Sequence, residues 1–166
     1  MRIHSARALP FLFYLALLGF YQVILTDVLS IWDVRLALTP LIFTLVAVYK
    51  EQGVATAFAA SAAFVATSND AVAAAGTMIV AAGVTLGISY YRGKLNLDSL
   101  YARLALISVG CLVFEIARVT MITTQDLLYT YVRYMIPSII LTSAAGLIFL
   151  LFKDETISYA KFKRLF

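Results

Sequence analysis

Histidine, cysteine, proline and charged residues are all scarce in this chain. The one histidine, His4, and the one cysteine, Cys111, exclude an internal disulfide, a Cys-based zinc site and an intramembrane Ser–His dyad or histidine cluster. Only 13% of the 166 residues are charged, about half the share of an ordinary soluble domain. With 63% hydrophobic residues and a mean hydropathy of +0.93, the sequence predicts an integral membrane protein.

The apolar residues are gathered in blocks of the length that crosses a bilayer, which takes roughly 17–25 helical residues. We predict an all-α integral membrane fold, a six-helix transmembrane bundle that forms one domain over 1–166. The second and third spans are short and are predicted to form a tight helical hairpin. The first is expected to be an anchor and not a cleaved signal peptide. The spans cover about 8–29, 34–49, 53–68, 71–91, 100–123 and 132–152, and 153–166 form a short basic cytoplasmic tail.

The distribution of basic residues predicts the orientation of the bundle. Only Arg35 and Arg133 fall in the segments on the outer side, and Arg118 falls inside the fifth span. Because cytoplasmic loops carry the excess of lysine and arginine, we expect both termini in the cytoplasm. With this topology, the net charge of +4 does not require a nucleic-acid partner as its explanation. The other ten cations lie on the predicted cytoplasmic side: Arg2, Arg7, Lys50, Arg92, Lys94, Arg103, Lys153, Lys161, Lys163 and Arg164.

Small residues recur at helical spacing along the third and fourth spans. In lipid, such residues let two helix backbones approach closely, so we expect these two spans to pack together. A face for a partner's helix is the alternative. Gly83 and Gly87 form a GxxxG motif. The residues concerned are Ala55, Ala59, Ala62 and Ala66 in the third span and Gly76, Gly83 and Gly87 in the fourth.

One polar stripe runs along the fifth span. Ser108, Cys111, Glu115 and Arg118 are separated by three, four and three residues, which aligns them on one helix face. Charges at membrane depth are costly, so Glu115 and Arg118 are predicted to pair and to face the bundle interior or a polar cavity. The pair could be structural, could contact a partner subunit or a cavity, or could be a substrate or proton-coupling site.

The remaining polar groups lie near the predicted membrane surfaces. Asp33 and Arg35 are candidates on the outer face, and Asn69-Asp70 is predicted to be a turn that caps the fourth helix. The tail from Lys161 to Phe166 is expected on anionic lipid, with a cytoplasmic partner as the alternative. Paired carboxylates and glycine-rich phosphate loops are lacking. We therefore expect no enzyme and no cofactor or metal, but a scaffold or a transporter-like binding subunit.

Several segments together resemble the family of the bacterial rod shape-determining protein MreD, over roughly 30–152. The segments are 34–40, opening the second span, the hairpin leading into 53–57, Ala75-Gly76, 90–94 at a cytoplasmic end, and 113–116 around the acidic residue of the fifth span. This family is similar in fold to the S components of energy-coupling-factor (ECF) vitamin transporters.

The resemblance implies a non-catalytic part of the cell-elongation machinery in the bacterial inner membrane. It implies binding to an MreC-like protein, a link through it to RodA and its class B penicillin-binding protein partner, and an indirect link to MreB filaments. The alternative is a substrate-binding S component, which would need polar groups converging on an outward cavity. A sensor or channel component is less favoured, because no ring of charges is present.

Overall fold

The computed structural model describes residues 5–21, 34–67, 71–95, 97–122 and 126–154. This part of the chain is helical and holds no β-strand, which confirms the all-α prediction. The helices are α1 (Ser5–Phe20), α2 (Leu38–Tyr49), α3 (Gln52–Ala66), α4 (Ala71–Arg92), α5 (Leu100–Ile122) and α6 (Leu127–Lys153).

Three of the described helices are long and apolar enough to cross a membrane. They are Ala73–Arg92 within α4, Leu100–Met121 within α5, and α6. Large apolar side chains point outward from each of them, among them Ile79, Val109 and Ile140. Such exposed apolar faces suit lipid and not water, and they indicate a membrane protein.

The second predicted span begins later than the sequence pattern suggests. Helix α2 starts at Leu38 and not at Val34, and Val34–Ala37 is not helical. Pro40 lies in the first turn of α2, where its missing N–H removes no intrahelical hydrogen bond. We call residues 34–37 the strap, because their backbone is hydrogen-bonded to side chains from other parts of the bundle.

The sixth predicted span begins earlier than expected, at Leu127 and not at about residue 132. Its first part contains a π-helical segment, Tyr131–Met135. The hydroxyl groups of Tyr131 and Thr120 lie 2.7 Å apart, which ties this segment to α5. Arg133, which the sequence assigned to the outer side at the beginning of this span, lies within the helix, and its guanidinium carbon is 5.7 Å from the ring centre of Tyr129 and 5.9 Å from that of Tyr134.

Helices α3 and α4 pack together more extensively than any other pair in the described structure. Ala55, Ala59 and Ala62 are fully buried. The alanine stripe thus faces the protein interior, where small side chains allow two backbones to approach closely.

The GxxxG motif of α4 lies elsewhere. Gly83 is exposed, and a methyl group added at Gly83 or Gly87 would meet nothing within 4 Å. The predicted packing role of these two glycines is therefore wrong within this chain, since they turn away from α3. Gly76 does lie at a helix contact, with its added Cβ 2.7 Å from Met121 Sδ.

Two further glycines that the sequence pattern did not single out also lie at helix contacts. A Cβ on Gly110 would lie 2.8 Å from Thr44 Cγ2 and 2.9 Å from Ile88 Cδ1. A Cβ on Gly146 would lie 3.1 Å from Leu41 Cδ1. These contacts bring α5 and α6 against α2, which is the central helix of the described bundle.

Candidate functional site

Glu115 and Arg118 form an ion pair within α5. Arg118 donates from Nε at 3.0 Å and from Nη2 at 2.7 Å, and both bonds go to the same oxygen, Glu115 Oε2. The side chain of Glu115 is 5% exposed, whereas that of Arg118 is 40% exposed. The acid is thus enclosed by protein, and the arginine reaches outward from it.

The polar stripe of α5 divides into two parts with different surroundings. Cys111 is buried in an apolar cluster with Leu41 and Ile107, and its sulfur lies 3.7 Å from Thr44 Oγ1. Neither Cys111 nor the half-buried Ser108 lines the cavity beside Glu115. The first half of the stripe therefore serves helix packing.

A cavity of about 140 Å³ with mixed polar and apolar walls lies beside the ion pair. Its walls come from α2, α5, α6, the ends of α1 and α3, and the strap. We call it the strap cavity. The lining residues are Tyr21, Arg35, Leu36, Ala37, Leu38, Thr39, Pro40, Ala66, Phe114, Glu115, Arg118 and Ser138.

The strap is held by side chains of α6 and of Tyr21, the residue that follows α1. The hydroxyl of Tyr21 donates to the carbonyl of Leu36 at 2.8 Å, and that of Ser138 donates to the carbonyl of Arg35 at 2.6 Å. The amide of Ala37 donates to Thr142 Oγ1 at 3.0 Å. Backbone outside a helix needs other hydrogen-bond partners when it is buried, and these three bonds supply them.

The strap brings Arg35 to the same cavity as the pair on α5. Arg35 of the second predicted span and the pair of the fifth, which the sequence singled out separately, therefore share one site. Its described lining holds two arginines and one carboxylate. Asp33, the other outer-face candidate, lies outside the described residues, as do Asn69-Asp70 and residues 155–166 of the C-terminal tail.

Thr39 was not identified from the sequence, although it lines the cavity. It is 6% exposed, and its hydroxyl makes no hydrogen bond within the described chain. It belongs to the first turn of α2, where backbone N–H groups lack helical partners and carry partial positive charge. The beginning of α2 thus favours negative charge in the cavity.

Ser138, Thr142 and Gly146 on α6 were also missed. Their spacing of four residues places them on one face of the helix, and this face meets the strap and α2. A search for small and hydroxyl residues at this spacing would have found it.

A second polar cluster lies at the opposite end of α5. Arg103 donates to Asp154 Oδ1 at 2.8 Å and to the Tyr49 hydroxyl at 3.1 Å. This guanidinium holds the pKa of the Asp154 carboxyl below its usual value. Nearby, Arg92 donates to the backbone carbonyl of Val48, near the end of α2. These bonds join the ends of four helices.

The strap cavity can hold a small polar or anionic group, because guanidinium, hydroxyl and backbone donors converge on it. No three His, Cys, Asp or Glu residues that could share a metal ion lie together in the described ranges. Comparisons with protein families, with curated proteins and with solved structures find no match to this chain.

Proposed function

We propose that this protein is a non-catalytic, multi-pass membrane scaffold of the bacterial cell-elongation machinery. The proposal rests on the resemblance of 30–152 to the MreD family. Its partners would be an MreC-like protein and, through it, RodA with its class B penicillin-binding protein and, indirectly, MreB filaments. Glu115 and Arg118 would keep α5 in a fixed rotation and present Arg118 at the rim of the bundle.

The size of the strap cavity is the observation that favours a scaffold over a transporter subunit. Pockets for cofactors and drug-sized ligands have volumes of roughly 300–1,000 Å³. The cavity of about 140 Å³ is less than half as large as the lower limit. A vitamin would not fit without separation of the strap from α6.

The proposed architecture has six membrane crossings, with both termini in the cytoplasm of the inner membrane. At a rise of about 1.5 Å per residue, α2 and α3 are shorter than a bilayer core of about 30 Å. In this architecture the strap lengthens the α2 crossing. Its non-helical backbone is tolerated within the membrane, because it is hydrogen-bonded and lines a cavity. The imbalance of basic residues between the loops supports the orientation.

An S component of an ECF vitamin transporter is the second candidate. Arg35, Glu115 and Arg118, drawn from two separate parts of the chain, converge on one cavity, as the binding of a charged vitamin requires. Such a ligand would need a larger cavity than the one described. Retention of a small molecule during purification would therefore favour this candidate.

Capture from native membranes tests both candidates at once. The tagged full-length chain is purified in mild detergent, bound proteins are identified by mass spectrometry, and small molecules are extracted and identified. The scaffold proposal expects an MreC-like protein and RodA with no stoichiometric vitamin. A stoichiometric vitamin with neither elongation protein would contradict it.

The topology is tested separately, with reporter domains fused to each end of the chain. Reporters active only in the cytoplasm should work at both ends, and reporters active only outside it should work at neither. Ends on opposite sides of the membrane would exclude the six-crossing architecture, since an even number of crossings returns the chain to its starting side.

A further inference from the structure

Four cations lie together at the end of the bundle opposite the strap cavity. They are Lys50 after α2, Arg92 at the end of α4, Arg103 near the beginning of α5 and Lys153 at the end of α6. Tyr49 joins two of them, because its hydroxyl accepts from Arg103 at 3.1 Å and its ring centre lies 3.0 Å from Lys153 Nζ. Lys50 and Arg103 are close enough to Lys153 to repel its charge. We call these four residues the basic cluster.

The fold itself uses two of these cations. Arg92 donates to three backbone carbonyls at the end of α2, among them that of Lys50 at 2.5 Å, and so pairs groups that lack helical partners. Arg103 is ion-paired with Asp154. Lys50 and Lys153, by contrast, are exposed, and neither has an ion pair within the described ranges. Two neighbouring ammonium groups are thus left without a carboxylate of their own.

The basic cluster lies where the apolar helices end. The candidate membrane spans of α4 and α6 finish at Arg92 and Lys153 themselves. Tyr90, Tyr91 and Tyr101, in the adjoining turns of α4 and α5, are exposed, and tyrosine is enriched at the boundary between membrane and water. The described residues at this end are positive in sum, with Lys50, Arg92, Lys94, Arg103 and Lys153 against Glu51, Asp98 and Asp154. The cluster is therefore at the depth of lipid head groups.

We propose that Lys50 and Lys153 bind the phosphate group of an anionic phospholipid. A phosphodiester offers acceptor oxygens to both ammonium groups and reduces the repulsion between them. Basic pockets between membrane helices on the cytoplasmic side bind head groups of this kind. The inference does not depend on the scaffold function.

Apolar surface beside the cluster favours a lipid over a soluble phosphate. Phe149 and Phe152, one turn and one residue before Lys153, are 47% and 50% exposed. These rings can cover the acyl chains of a lipid whose phosphate is held by Lys153. A soluble phosphate carries no chain that would contact them.

The first measurement is the unfolding temperature of the purified full-length chain in uncharged detergent. Phosphatidylglycerol is added to the micelles, and phosphatidylcholine with the same acyl chains is the comparison without net charge. Near tenfold saturation, phosphatidylglycerol should raise the unfolding temperature by about 3–6 °C more than phosphatidylcholine. This extra rise should vanish in the double variant Lys50→Gln with Lys153→Gln.

The matched control removes the same two charges outside the cluster. Lys161→Gln with Lys163→Gln changes the same residue type by the same total charge, in the C-terminal tail. The extra rise should persist in this variant. Equal loss of the rise in both double variants would mean that the lipid responds to the overall charge of the chain, and would overturn the site.

The second measurement is the lipid bound to each folded variant. Lipids that remain after purification from native membranes are extracted and quantified by mass spectrometry, and phosphatidylglycerol is then titrated. Anionic lipid should be enriched over its share of the membrane. The apparent affinity should fall about fivefold for each cluster lysine removed, as one cation near an anionic membrane surface implies. The tail variant should keep the affinity of the unmodified chain.

The remaining outcomes overturn the inference in distinct ways. Equal protection by the two lipids would show that the anionic charge is not recognised. Protection by glycerol phosphate as strong as by phosphatidylglycerol would show that a soluble phosphate suffices. Unchanged lipid binding in the cluster variant, with a lower amount of a captured partner protein, would assign the two lysines to an acidic segment of that partner. The scaffold proposal is tested separately, by capture of elongation proteins with the unmodified chain.

Discussion

Glu115 accepts two hydrogen bonds from Arg118 through one oxygen, at 3.0 and 2.7 Å, one turn apart on the same helix. The two residues differ sharply in exposure, since the acid is enclosed and the arginine is partly open. A buried carboxylate without a cation is strongly unfavourable. An exposed guanidinium without an acid is solvated or meets another acceptor. Leaving Glu115 without its partner should therefore cost more stability than leaving Arg118 without its partner.

This asymmetry predicts unequal effects of the two single substitutions. Arg118→Met should lower the free energy of unfolding by about 3 kcal/mol, because it leaves Glu115 enclosed without a partner. Glu115→Gln should cost only about 1 kcal/mol, since the amide oxygen still accepts from Arg118. The measurement is reversible unfolding of the purified protein in detergent.

The double substitution provides the control for this prediction. Arg118→Met with Glu115→Gln should be more stable than Arg118→Met alone, which a double-mutant cycle reports as coupling. Arg133→Met, at an exposed arginine of α6, should change stability little. Simple addition of the two single effects would show that the pair is not coupled.

The all-helical membrane fold followed from the sequence, because apolar blocks and helical spacing are local properties of the chain. The same spacing placed Glu115 and Arg118 within reach of one another. The sequence did not reveal that Arg35 joins them, because this contact depends on how the strap crosses the bundle. It also did not reveal the hydrogen bonds from Tyr21 and Ser138 that hold the strap.

The glycines show the limit of a motif. The spacing of Gly83 and Gly87 is typical of helix contacts in membranes, but spacing alone does not tell which side of α4 faces the core. Gly110 belongs to no such motif, yet its Cα lies against α2 and α4. A glycine's role here is decided by the tertiary arrangement.

Alanine substitutions at these glycines should therefore have opposite effects. Gly110→Ala should destabilise the protein by about 1–3 kcal/mol, because the new methyl group would overlap Thr44 and Ile88. Thr44 cannot move easily, since its hydroxyl is bonded to Pro40 O and Leu41 O. Unfolding in detergent measures the loss.

Gly83→Ala is the matched control, at a helical glycine in open space. It should be neutral or stabilise the protein by up to about 1 kcal/mol through helix propensity. Equal destabilisation by the two substitutions would mean that α4 also packs through its exposed face, against a second chain.

The strap should loosen when one of its hydrogen bonds is removed. Thr142 is fully buried and accepts from the Ala37 amide at 3.0 Å. Thr142→Val keeps the shape but leaves that amide unpaired, which costs about 1–3 kcal/mol. We expect faster hydrogen exchange in peptides covering 34–37, measured by mass spectrometry.

Thr85→Val is the control for the strap. Thr85 is also fully buried, but its hydroxyl bonds only to Ala81 O within α4. Exchange over 34–37 should match that of the unmodified protein. If Thr142→Val leaves this exchange unchanged as well, the bond from Ala37 does not hold the strap.

At the opposite end of α5, acid should weaken the contact between Arg103 and Asp154. The pKa of Asp154 is lowered in the folded protein by its hydrogen bonds to Arg103, whereas an unfolded aspartate titrates near about 3.9. The charged carboxylate thus stabilises the fold above about pH 4. This stabilisation is lost as the pH falls through the lower folded-state pKa.

Asp154→Asn should remove this acid-dependent part of the stability. The difference in unfolding temperature between the unmodified protein and the variant should be largest near about pH 7 and should shrink towards about pH 3. Uncharged detergent is needed, so that only protein groups titrate.

Glu51→Gln is the matched control. Glu51 is an exposed acid at the start of α3 with no ion pair in the described structure, so this variant should have the same unfolding temperature as the unmodified protein at each pH. A difference for Asp154→Asn that is independent of pH would mean that the carboxylate stabilises the fold by shape or packing and not by its charge.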